Sequence, residues 1–219
     1  MLSLTPDEVL TTTRAVRKRL DLARPVPRSI IEDCLAIALQ APNGSNLNTW
    51  RFIAVDDRAR IARMAQIYNA GLDDFVRSLG TATGEGYAGA VIPGFEKIDG
   101  SVQYLRDHMH EAPLLVVPVF AGRTERASTF FQASLWGSIV QAVWSFMLAL
   151  RTRGLGSCWT TGHLHREAEM AELLGIPAQH FTQVGLFPVA YTKGTEFKPA
   201  WRRPVDEVLG WNAFEPKGS

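Results

Sequence analysis

The chain has 219 residues, of which 46% are hydrophobic and 21% charged, and its formal net charge is +1. That length supports a single domain burying about 70% of the unfolded chain's surface, and the near-neutral balance argues against nucleic acid as the main partner. Two cysteines, Cys34 and Cys158, are too few for a disulfide framework and read as free thiols in a reducing, cytoplasmic setting.

In chain order, Thr5, Pro6, Asp7 and Glu8 read as a capping box with proline at the first helical position, which predicts a helix over residues 6–14. Pro25 and Pro27 interrupt the chain. A second helix, 28–40, carries Ile31, Leu35, Ala38 and Leu39 on one face, with Cys34 on the same apolar stripe. Pro42 ends it. Residues 50–56 are rich in strand formers, and 58–67 look helical.

From 68 to about 101 the pattern weakens. Seven glycines fall between Gly71 and Gly100, and Pro93 breaks the middle. We read 68–110 as an insertion that could act as a lid. Residues 114–120 form a continuous apolar strand suited to the centre of a sheet. A long helix spans 128–153, and within it 133–150 carries no formal charge. Such a helix either crosses a membrane or is buried in a core or an interface. Gln141 and the serines along it favour the interface, so no membrane partner is expected. Gly154 and Gly156 stop the helix. A short strand at 157–161, a helix at 165–174 and a buried strand at 182–191 follow. The tail at 192–219 is irregular yet holds Phe197, Trp201, Trp211 and Phe214, which need burial, and a partner subunit would supply it.

Four segments could carry chemistry. Arg14 and Arg17, three apart, present two guanidinium forks on one side of a turn, which suits a phosphate monoester. Arg202 and Arg203 would add to them from the far end of the chain. Residues 42–50 offer the side chains of Asn43, Ser45, Asn46 and Asn48, which can equally form a turn. Residues 154–162 form a glycine-bounded run containing Cys158, Trp159, Thr160, Thr161 and Gly162. Cys158 has no implied histidine partner, and His163 and His165 are not spaced as a metal pair, so no metal is expected. No Rossmann fingerprint, Walker A sequence, HExxH or Gly-x-Ser-x-Gly is present.

In this order and at these separations the four segments resemble the FMN-dependent nitroreductase family. Here Ala15 stands where the family has serine, Asn48 where it has glutamine, and Thr49 where it has proline. The resemblance implies an α+β fold, a mixed sheet flanked by helices, and a homodimer. The long helix, about 39 Å at 1.5 Å per residue, would form the dimer core, and the C-terminal arm would embrace the partner. It further implies that Arg14, Ala15, Val16, Arg17, Arg202 and Arg203 hold the FMN phosphate. Asn43, Ser45, Asn46 and Asn48 would line the flavin and ribityl chain. Residues 158–162 would pass the ring, with the backbone of Thr161 or Gly162 nearest N5. NADH or NADPH would supply hydride, and a small-molecule acceptor such as a nitroaromatic or quinone would take the electrons in a ping-pong cycle. Reductive dehalogenation, flavin processing and a non-catalytic flavin store remain open as alternatives.

Overall fold

A computed structural model describes residues 1–81 and 95–214. The first helix, α1 (Pro6–Thr12), begins with the expected capping box: Thr5 Oγ1 accepts from Glu8 N, and the Glu8 carboxylate accepts from Thr5 N at 2.7 Å. It ends two residues earlier than predicted, because the chain turns extended at Thr13 to run beside the sheet. A two-residue edge strand that the sequence pattern hides, β1 (Leu20–Asp21), follows.

The core is organised by β3 (Leu114–Ala121). Its side chains alternate between faces, as strand geometry requires. Leu114, Val116 and Phe120 pack against α2 (Arg28–Ala38) and α5 (Thr129–Thr152), with Ile31, Cys34, Ile139, Val143 and Phe146. Leu115, Val117 and Val119 face the other way, onto α3 (Arg58–Thr81), α4 (Phe95–His108) and α6 (Glu167–Leu174). A strand buried on both faces has no polar side to show, which explains its unbroken apolar run.

The sheet is completed by β2 (Trp50–Val55), β4 (Leu155–Ser157), β5 (Phe181–Gln183) and β6 (Phe187–Thr192). The order is β1-β6-β3-β2, with β4 on β6 and β5 on β3. These ladders are antiparallel; the parallel element is the bridge between Ala15 and Ser157. The single strand expected at 182–191 is two strands. The break falls opposite Pro118, which cannot donate an N–H and instead accepts from Val184 N at 3.0 Å. The strand expected at 157–161 is shifted to 155–157, and Thr160 joins the sheet only through a bridge to Leu186.

The segment read as a weakly patterned insertion holds two helices. The helix predicted at 58–67 runs on to Thr81, and α4 begins at Phe95. The centre of the expected lid, 82–94, lies outside the described residues. Gly71 explains why the pattern weakened: a Cβ there would stand 2.9 Å from the Gly162 carbonyl carbon and closer still to its oxygen. The glycine lets α3 touch the backbone of the turn Gly162–Arg166.

α5 is long and apolar enough to cross a membrane, but nearly half of its most apolar window is buried inside the protein. Its C-terminal half is mostly core. Phe130, Phe131 and Val140 in its N-terminal half and Trp144 in its C-terminal half are exposed, the first two at 75% and 59%.

Candidate cofactor site

The chain between α1 and β1 is held against the sheet by Val16 N, which donates to Ser157 O at 2.8 Å. Val16 is buried and lies against Gly156, where a Cβ would come within 3.0 Å of it. With Val16 pinned inward, its neighbours in the run point elsewhere. They form a cavity of about 240 Å³ lined by residues 14–19, Ser101 and Phe197. Arg14, Arg17, Lys18 and Arg19 all contribute, and among the described residues no acidic side chain is in the lining. Arg14 Nη1 donates to Lys198 O at 3.1 Å. Arg19 is committed to structure: it donates to Lys193 O and Glu196 O and stacks 4.0 Å from the Phe197 ring centre.

The Ala15–Ser157 bridge also brings residues 157–162 beside this cavity. Cys158 is fully buried, and burial pushes its thiol up to about 12 against a smaller opposing pull from Arg17. Such a thiol is a core group, not a nucleophile. Trp159 Nε1 donates to Val184 O, and buried Thr160 Oγ1 donates to Leu186 O at 2.6 Å. Thr161 is exposed, and Gly162 is packed under Tyr68 and Leu72. The next residue, His163, has no exposed surface, and among the described residues its ring nitrogens make no hydrogen bond of normal geometry, the Gln183 side chain being a weak polar neighbour.

The asparagine loop lies elsewhere, docked on α5 by Gly44 N, which donates to Ser138 Oγ at 2.8 Å. Its amides bond one another: Asn48 N donates to Asn43 Oδ1 at 2.9 Å, and Asn48 Nδ2 donates to Asn46 O at 2.8 Å. Ser45, Asn46 and Asn48 all have positive φ, at 52°, 54° and 52°. For serine that conformation is strained, and strain of this kind gathers at binding loops.

Arg202 and Arg203 are exposed and do not line the cavity. Arg202 Nη1 donates to the adjoining Trp201 O, and Arg203 pairs with Glu207 at 3.3 Å. One chain therefore joins the first and third segments of the sequence pattern, while the second and fourth stand apart from that cavity. Lys18, Arg19, Ser101 and Phe197 line it without being among the expected site residues; Lys18 and Arg19 are the ones a charge pattern could have found, beside Arg17. The donor set, three or four cations around a small concavity, fits the phosphate of a mononucleotide. Among the described residues, no group of three or more His, Cys, Asp or Glu could hold a metal ion.

Known proteins resemble the chain in sequence and in fold. The 5,6-dimethylbenzimidazole synthase of Rhodospirillum rubrum is 27% identical over 198 residues, covering 88% of this chain and 82% of that protein. The iodotyrosine deiodinase of Thermotoga neapolitana is 26% identical over 206 residues, covering 94% and 97%. In fold, the chain superposes on the FMN and NADPH-dependent nitroreductase NfnB from sphigopyxis sp. strain HMH with a TM-score of 0.68 at 21% identity, covering 96% of this chain and all of that one. The family description that matches residues 10–191 is that of the nitroreductase family, and the chain belongs to it.

Proposed function

We propose that the chain is an FMN-dependent oxidoreductase that takes hydride from NADH or NADPH and passes electrons to a nitroaromatic, quinone or similar acceptor. The observation that carries this reading is the cationic cavity of residues 14–19, tied by the Ala15–Ser157 bridge to the glycine-bounded run, in a chain of this family. FMN, when bound, would supply the redox chemistry. Arg14, Arg17 and Lys18 would hold its phosphate by charge-assisted hydrogen bonds. The backbone at Ala15 and Val16 would fix the register, since Val16 N is already spent on Ser157 O. The backbone of Thr161 and Gly162 would border the reacting ring, and burial of Gly162 under Tyr68 and Leu72 would exclude water from that side. Asn43, Asn46 and Asn48 would exchange their mutual hydrogen bonds for bonds to the ligand, and Ser45 would add its hydroxyl. The helices α3 and α4 would select the acceptor.

The working unit would be a cytoplasmic homodimer. Its support is the exposed apolar stripe of α5 together with Trp201, Trp211 and Phe214 on the tail, the last two at 80% and 91% exposure. A second copy across that stripe would bring its asparagine loop and its Arg202 and Arg203 to the flavin. A second reading, reductive dehalogenation or flavin processing, is favoured by the names of the two sequence relatives described above.

The test is the visible spectrum of the purified protein before and after anaerobic NADH or NADPH. A flavin band that bleaches, followed by reoxidation with a nitroaromatic, supports the leading reading. Reoxidation by a halogenated phenol with halide release supports the second. A protein that binds no FMN refutes both, and bound flavin that neither nucleotide reduces points to a non-catalytic store.

A further inference from the structure

Behind Phe197, on the side of the N-terminus, lies a second cavity of about 220 Å³. The N-terminal segment closes it. Leu2 N donates to Thr152 O at 2.7 Å, which pins Leu2, Ser3 and Leu4 over the end of α5. Arg151 lines the cavity with only 5% of its surface exposed. Its Nε and Nη1 are buried and, among the described residues, have no hydrogen-bond partner. Its Nη2 makes one long bond, 3.3 Å, to Thr12 Oγ1. Among the described residues no carboxylate stands within ion-pair distance of it, and burial pulls its guanidinium below the ordinary arginine range.

A buried cation without a partner is strongly unfavourable, and buried charges are normally paired. Glu196 in the same lining, too far for an ion pair, the C-terminal dipole of α5 and the Phe197 ring, 4.9 Å from the guanidinium carbon, offset part of the charge. None of them gives its Nε–H or Nη1–H groups an acceptor among the described residues. We propose that this cavity binds a small monocarboxylate, whose carboxylate pairs with Arg151. The rest of the lining selects the class. Leu2, Leu4 and Phe197 suit a short alkyl chain. Glu8 and Glu196 are also in the lining, so a dianion such as phosphate would meet two like charges. Glu8 is held in the capping box and cannot swing across to neutralise Arg151.

This site is separate from the cavity of residues 14–19, and the proposal stands whether or not that neighbour takes a flavin. The test is calorimetric titration of the full chain with sodium butyrate, at constant ionic strength against sodium chloride, and with inorganic phosphate as a second probe. Saturable butyrate binding is expected, with none for phosphate. Arg151→Met should weaken it by about tenfold or more, the scale of one lost charge-assisted contact. Glu196→Gln should tighten it by about threefold, because one repelling charge is gone. Absence of saturable binding, or a response unchanged in Arg151→Met, overturns the proposal. If Arg151→Met does not fold, Glu196→Gln decides: unchanged or weaker butyrate binding overturns it. Phosphate competing with butyrate overturns the monocarboxylate class.

Discussion

Replacing Gly71 by alanine tests the packing that places the glycine-bounded run. In an exposed helix the change would stabilise by about 1 kcal/mol, from helix propensity alone. At this position the new Cβ would stand 2.9 Å from the Gly162 carbonyl carbon and 3.4 Å from His163 Cα, and nearer still to the Gly162 oxygen. These are backbone atoms, in a turn closed by Leu164 N donating to Thr161 O at 2.9 Å, so no rotamer change relieves the clash. α3 and the turn must separate, loosening Tyr68 and Leu72 against Gly162. Overpacking typically costs about 1–3 kcal/mol and occasionally more; a clash that moves backbone belongs at or above the top of that range, about 3–4 kcal/mol, so after a propensity gain of about 1 kcal/mol roughly 2–3 kcal/mol should be lost. Urea unfolding followed by circular dichroism reads this as a midpoint lower by about 1 M. Gly162→Ala is the internal comparison. Its Cβ would meet Leu72 Cδ2 and Tyr68 Cε2, both at 2.9 Å, and the half-buried Leu72 can turn away. The loss there should be smaller, about 1–2 kcal/mol. A Gly71→Ala protein as stable as the parent, or a reversed order of the two variants, would refute the reasoning.

Burial pushes the His163 imidazole down to about 4, with a smaller opposing pull from the Gln183 side chain. The folded state thus holds the ring neutral while the unfolded chain takes up a proton below about 6.5, so stability falls as pH drops from 6.5 towards 4, by roughly 3 kcal/mol in all. His163→Gln should flatten that part of the stability curve; equal slopes in the two proteins would sink the idea. Arg123 ties β3 to α6 and β5, donating to Glu167 at 2.7 and 3.0 Å and to Phe181 O at 2.9 Å. Arg123→Met should cost about 1–3 kcal/mol, with a coupling to Glu167→Gln of about 1 kcal/mol in a double-mutant cycle, and zero coupling would contradict the pairing. Cys34 and Cys158 are both fully buried, with thiols pushed up to about 11 and about 12. A thiol reagent at pH 8 should therefore find neither in the native protein and both after unfolding, and rapid native labelling would argue against this burial. Ser45→Gly relieves a serine at φ 52° and should stabilise by about 1 kcal/mol, measured by thermal unfolding.

Much of this protein was determined locally by its sequence. The capping box of α1, the two-faced strand β3 and the long α5 follow from side-chain chemistry and period, which need only neighbours in the chain. Residues 14–17 and 154–162 were legible as candidate site segments from an arginine pair and a glycine-bounded turn, and the fold joins them through the Ala15–Ser157 bridge. What the tertiary structure alone decided are features that depend on a surface brought from far away. The length of α3 was hidden because Gly71 reads as a breaker, yet it is a contact point for Gly162. The split of β5 from β6 depends on where Pro118 falls in a neighbouring strand. Lys18 and Phe197 share a cavity wall only because the tail folds back over β1, and Arg151 became an unpaired buried cation only when the N-terminus closed over α5. A local pattern states what a residue can do; which groups it meets is set by long-range packing, where burial and unpaired charge carry their largest energies.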